Sequence, residues 1–189
     1  MKGKRNLLLR SNSLPSDCKS AHAAGTDFCE IFQKETCNLY ALALLLTADH
    51  ALAEECFVVG LDDCLNSTVF KDWAISWSKR AVIRNAIRLL APSVKTDVLA
   101  SREFDEMQAR SPFAQAIFAL GDFQRFVFVM SVLEGYRDLE SSLLLNCSPK
   151  DVANARCEAL QELAVAVGPN PAATALEHAS TSLTFPVGA

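Results

Sequence analysis

The stretch that decides the reading of this chain is Glu134–Leu163, EGYRDLESSLLLNCSPKDVANARCEALQEL. Asp138 is placed to cap a short helix carrying Leu139, Leu143 and Leu144, and Asn146-Cys147 ends it. Ser148-Pro149 then opens a second helix, with a hydroxyl at the N-cap and proline at the first helical position, where a missing N–H costs nothing. On that helix Val152, Ala155, Ala159, Leu160 and Leu163 recur at helical spacing and are expected to face inward. Two short helices around a tight corner have the form of a helix-turn-helix, whose second helix commonly enters a DNA major groove. An ordinary helical hairpin in a core has the same spacing, so the corner alone leaves both readings open.

Upstream the pattern is also helical. Asp27–Thr47 reads as one helix, with Asp27 at the cap, Glu30 three residues later, and an apolar face of Phe28, Ile31, Phe32, Leu39, Leu42 and Leu46. Asp49 caps a second helix to about Leu65, with Ala53, Phe57, Leu61 and Cys64 inward and Glu54, Glu55, Asp62 and Asp63 outward. Phe70–Leu90 is a third, stopped by Pro92. At about 100° per residue, Ile75, Val82, Ile83, Ala86, Ile87, Leu89 and Leu90 fall on one side of it. Trp73, Trp77, Arg80, Arg84 and Arg88 fall on a narrower stripe opposite. Rings interleaved with arginines suit a single-stranded nucleic acid: bases stack on the rings, at roughly 1–3 kcal/mol each, while guanidinium groups meet phosphates. The competing reading has the tryptophans plug a neighbouring helix; it is favoured for Trp73 and stands open for Trp77. The arginine row at i, i+4, i+8 is read as functional.

Ala91–Arg110 reads as a linker with a helical turn near Glu103–Ala109. Ser111-Pro112 opens a helix through Leu120, Gly121-Asp122 breaks and recaps it, and Phe123–Leu133 (FQRFVFVMSVL) is an apolar helix beneath the corner. The expected fold class is all-α. Two small helical domains, 26–91 and 111–165, are joined by a linker at 92–110, with flexible tails at 1–25 and 166–189.

Composition agrees with a packed core: 50% of the 189 residues are hydrophobic and 8% aromatic. No apolar run approaches the roughly 20 residues needed to cross a bilayer, and MKGKRNLLLR has too short an apolar stretch for a signal peptide, so no membrane association and a cytoplasmic location are expected. The cysteines at 18, 29, 37, 56, 64, 147 and 157 form no CxxC pair and read as free thiols in apolar settings. A zinc site from Cys18, His22, Cys29 and Cys37 lacks the close ligand pairs of structural zinc, and no metal or cofactor is expected. Net charge is −4, but it is unevenly spread. Lys71, Lys79, Arg80, Arg84 and Arg88 stand against Asp72 alone between 71 and 90, whereas Lys34 is the sole lysine or arginine between 27 and 66.

Two blocks resemble one family. Residues 27–90 resemble region 2 of the small two-domain sigma factors of bacterial RNA polymerase, the extracytoplasmic-function group. The matching pieces are DFCEIFQKETCNLYALALLLTADHALAEECF and FKDWAISWSKRAVIRNAIRLL. Residues 113–163 resemble region 4, in FQRFVFVMSVLEGY and in the spacing of EGYRDLESSLLLNCSPKDV. The resemblance implies that Glu54, Glu55, Phe57 and Leu61 dock on polymerase core. It implies that Trp77, Lys79, Arg80, Arg84 and Arg88 open and read the minus-ten promoter element. It also implies that the helix from Ser148, with Lys150, Asn154 and Arg156, reads the minus-thirty-five element. An anti-sigma protein would be a further partner. The chain departs from the family where Ala153, Asn154 and Ala155 stand in place of Lys, Ser and Arg. The unit 134–163 is also acidic, with Arg137, Lys150 and Arg156 outnumbered by Glu134, Asp138, Glu140, Asp151, Glu158 and Glu162.

No phosphate-binding glycine loop, paired His/Cys arrangement or HExxH motif is present, so the expectation is a non-enzymatic factor. Promoter recognition and opening is the leading expectation. The alternative is a sigma-like chain that works through protein contacts without specific promoter binding.

Overall fold

The computed structural model describes residues 21–94 and 111–168, and among them every regular element is helical. The order is α1 (Gly25–Lys34), α2 (Thr36–Thr47), α3 (His50–Leu65), a 3-10 turn at Lys71–Trp73, α4 (Ala74–Leu90), α5 (Pro112–Ala119), α6 (Asp122–Phe128), a π turn at Val129–Leu133, α7 (Asp138–Leu145) and α8 (Pro149–Val167). The tails at 1–20 and 169–189 and most of the linker, 95–110, lie outside the described residues.

The expected single helix at Asp27–Thr47 is two. Thr36 Oγ1 donates to the carbonyls of Phe32 at 2.6 Å and Gln33 at 2.9 Å, and Glu35 (φ −98°, ψ 16°) ends one helix and begins the next. α1 also starts earlier than expected: Asp27 is not its cap but sits in the first turn, accepting from the Ala24 amide at 2.7 Å. Its carboxyl is held below the usual range chiefly by that bond, with the Lys71 ammonium assisting. Asp49 does cap α3, accepting from the Leu52 amide at 2.9 Å. The third helix begins as the 3-10 turn and becomes α-helical at Ala74.

α1–α4 bury Phe28, Phe32, Leu39, Leu46, Ala53, Cys56, Cys64, Val82 and Ile83 among themselves. α3 and α4 cross closely at Gly60, where an added Cβ would stand 3.2 Å from Val82 Cγ2. Ile75 and Leu89, expected inward, are exposed, because the neighbouring helices cover only part of the apolar arc of α4. In the second half, Ile117, Phe123, Phe126, Phe128, Val152, Ala155, Ala159 and Leu163 pack under the corner. Leu160 does not: it is 45% exposed, lying on the edge of α8 that no helix covers. The expected helix at Phe123–Leu133 widens into the π turn, where the Glu134 amide donates to the Val129 carbonyl at 3.0 Å.

The two halves share one buried cluster. At their junction Arg125, 3% exposed, donates through Nε to the Leu46 carbonyl at 3.1 Å and through a terminal nitrogen to the Leu120 carbonyl at 2.9 Å, and it pairs with Asp122. The guanidinium therefore receives the carbonyl partners that a buried charge requires.

Candidate nucleic-acid interface

Helix α4 and the 3-10 turn that leads into it place Trp73, Trp77, Arg80 and Arg84 along one side, as about one turn per 3.6 residues requires. Trp73 is 65% exposed, so it does not plug a neighbouring helix as expected. The 3-10 turn lifts it off the core, and it meets the edge of Phe70 with centroids 5.9 Å apart. Phe70 stacks on His22 at 4.6 Å, because residues 21–23 pair with 69–71 through Ala23 N–H to Val69 O (2.7 Å) and Lys71 N–H to Ala21 O (3.0 Å). His22, Phe70 and Trp73 thus form a surface run of rings leading to Trp77, which is half-buried against the core. His22 and Phe70 were missed in the sequence because their stacking depends on this contact between distant segments; the exposed aromatic in VFKDW was the only local signal.

Arg80 and Arg84 are exposed and make no salt bridge to the described residues. Their neighbours in the stripe are less available. Arg88 is held by Asn85 Oδ1 at 2.9 Å and lies 3.8 Å from Asp63, while buried Asn85 itself donates to Asp63 at 3.0 Å. Lys79 is bonded to Glu134 at 2.7 Å. Beside this stripe lies a recess of about 540 Å³, lined by Trp73, Trp77, Lys79, Arg80, Glu134 and Tyr136 among others. Burial pushes the Tyr136 hydroxyl above its ordinary pKa, with the Arg80 charge acting the other way.

The corner has the expected chain path, with two corrections to its caps and contacts. Asn146 (φ +52°) turns the chain in the left-handed region, and Ser148 caps α8 by accepting from the Asp151 amide at 3.1 Å. Asp151 answers with its carboxylate on the Ser148 amide (3.1 Å) and hydroxyl (2.7 Å), and these bonds lower its pKa. Ser148 is thereby a capping residue, occupied within its own helix. Asp138 does not cap α7: Arg137 stands at the N-cap, and Glu140 in the first turn accepts from its amide at 2.9 Å. Asp138 instead makes a two-point pair with Arg156, including an N–O contact of 3.2 Å. Arg156 is therefore tied across the corner rather than presented outward. Lys150 and Asn154 are exposed, as expected, on a face shared with Glu158 and Glu162.

On α3, Glu54 and Glu55 are exposed, but Phe57 and Leu61 are half-buried. Phe57 packs edge-on against Phe32 at 5.1 Å, inside as its helical spacing predicts, and is not free to meet a partner. Exposed Val58, between Glu55 and Asp62, is the apolar group that face presents. Among the described residues no cluster of His, Cys, Asp and Glu could hold a metal ion, and no helix is long and apolar enough to cross a membrane. Comparisons with protein-family models, curated proteins and solved structures found no match to this chain.

Proposed function

We propose that this chain is a promoter-specificity factor of the sigma type, a non-enzymatic adaptor that joins polymerase core to single-stranded promoter DNA. The observation that carries the reading is Arg80 and Arg84, exposed and without salt bridges to the described residues, on the stripe of α4 that continues from the rings of Trp73 and Trp77. Bases would stack on the rings while the guanidinium groups neutralise phosphates, and no bond is made or broken. The acidic face of α3, Glu54, Glu55 and Asp62 around Val58, is the surface assigned to polymerase core. With Arg156 paired, α8 offers Lys150 and Asn154 to duplex DNA, and each missing phosphate contact weakens that binding and flattens its salt dependence. Reconstitution with core polymerase tests the proposal. Arg80→Ala with Arg84→Ala should abolish promoter opening while co-migration with core persists. A chain that binds core yet supports initiation on no genomic fragment overturns it.

A second reading, a sigma-like chain acting through a protein partner such as an anti-sigma protein, draws on Leu139 and Leu143. They stand 62% and 74% exposed, one turn apart on α7. Tight, sequence-specific gel shift of DNA by the full chain, lost in Lys150→Ala, would count against this second reading.

A further inference from the structure

The recess beside α4 is bounded on its far side by the second half of the chain. Lys79 Nζ donates to Glu134 Oε2 at 2.7 Å, across 55 sequence positions, with the two side chains 38% and 17% exposed. The π turn fixes where that carboxylate stands: the Glu134 amide is bonded to Val129 O and the Tyr136 amide to Met130 O at 2.9 Å. Lys79 and Glu134 line hollow space on both sides of their bond. One is the 540 Å³ recess with Trp73, Trp77 and Arg80; the other is a recess of about 240 Å³ against Leu42 and Leu45 of α2. The ion pair thus sits between two recesses open to solvent rather than inside a packed seam, so breaking it costs little. The end of the junction held by Arg125, with its buried carbonyl partners, is costly to open.

We infer that the segment Glu134–Tyr136 is an autoinhibitory latch over the α4 surface. Closed, the Glu134 carboxylate occupies Lys79 in the position a phosphate oxygen would take, and Tyr136 narrows access to the tryptophans. A single-stranded nucleic acid displaces the carboxylate from Lys79, and the Glu134 side chain swings off the recess while the backbone stays held by the π turn. This inference rests on the reading of α4 as a nucleic-acid surface.

The full chain contains two tryptophans, Trp73 and Trp77, so intrinsic emission reports on this recess alone. The test measures acrylamide quenching of that emission and, separately, anisotropy of a labelled random-sequence single-stranded 12-mer DNA. Glu134→Gln, and independently Glu134→Ala, should raise quenching and tighten oligonucleotide binding by about fivefold, the gain expected from freeing a binding-competent state. Unchanged quenching and affinity in both variants, with Arg80→Ala/Arg84→Ala still weakening the native chain, overturn the latch and leave the nucleic-acid reading standing. Tighter binding without a change in quenching also overturns it, since loss of one negative charge then accounts for the gain. Raised quenching with no oligonucleotide bound by any variant overturns the nucleic-acid reading, and the latch as its gate falls with it.

Discussion

Ser141 is fully buried on α7, and its hydroxyl oxygen has no hydrogen-bond partner among the described residues. Ser78, Ser131 and Ser142, in comparable helical positions, each donate to a carbonyl of the preceding turn at 2.7–2.9 Å. A buried hydroxyl without a partner forfeits its hydration and regains nothing. Ser141→Ala should therefore raise stability by about 1 kcal/mol, visible as a higher urea midpoint with an unchanged slope. At Asp49 and Ser148 the cap was legible, since each accepts from an amide three residues ahead as its sequence suggests. The role of Arg156 was not legible, because its carboxylate partner lies 18 residues back, nor was the start of α7, where Arg137 stands at the N-cap expected of Asp138.

Among the elements, the α3–α4 crossing carries the tightest constraint. At Gly60 the Cβ of a larger residue would approach the Val82 amide nitrogen at 3.4 Å as well as its Cγ2, and Val82 is a stiff, fully buried β-branched residue. Gly60→Val should cost roughly 2–3 kcal/mol through overpacking, read from chemical denaturation, and should loosen α4 under native hydrogen exchange. The same scale shows why boundaries were harder than helices. α2 and α4 end at Ala48 (φ +50°) and Ala91 (φ +43°), left-handed positions that glycine usually fills, so the customary stop signal is missing. Pro92, one residue past Ala91, made the end of α4 readable, whereas the break at Glu35 depends on a threonine hydroxyl that sequence patterns treat as neutral in a helix. Periodicity found the inner faces of α3 and α8, but it assigned Ile75, Leu89 and Leu160 to surfaces that no neighbour covers.

For the molecule as a whole, one continuous core means that the halves should unfold together. Arg125→Ala removes the carbonyl partner on both sides of the junction and should cost about 3–5 kcal/mol, with both halves losing structure at one temperature in calorimetry. The core also carries a pH signature. Burial pushes Cys56 and Cys64 from an ordinary value of 9.0 up to about 11, the Glu55 and Asp63 charges adding to the shift. Below pH 9 both thiols are protonated whether folded or not, and the stability is intact. Between about pH 9 and 11 the unfolded chain ionises first, so stability falls, by on the order of 2–3 kcal/mol per thiol. Urea midpoints across that range should drop steeply, and Cys64→Ala should make the decline shallower. The all-α class was legible from spacing and caps, but the joining of the halves was not. FQRFVFV reads as an apolar helix with one stray base, and only the folded chain shows that base reaching back to α2.

That reach has a consequence during synthesis. The Leu46 carbonyl lies 79 residues before the guanidinium that serves it. At about 5–20 residues per second, the ribosome completes α2 roughly 4–16 seconds before Arg125 is made. Throughout that interval the nascent first half carries a helix end whose carbonyl only water can satisfy, and it completes its fold when the second half emerges.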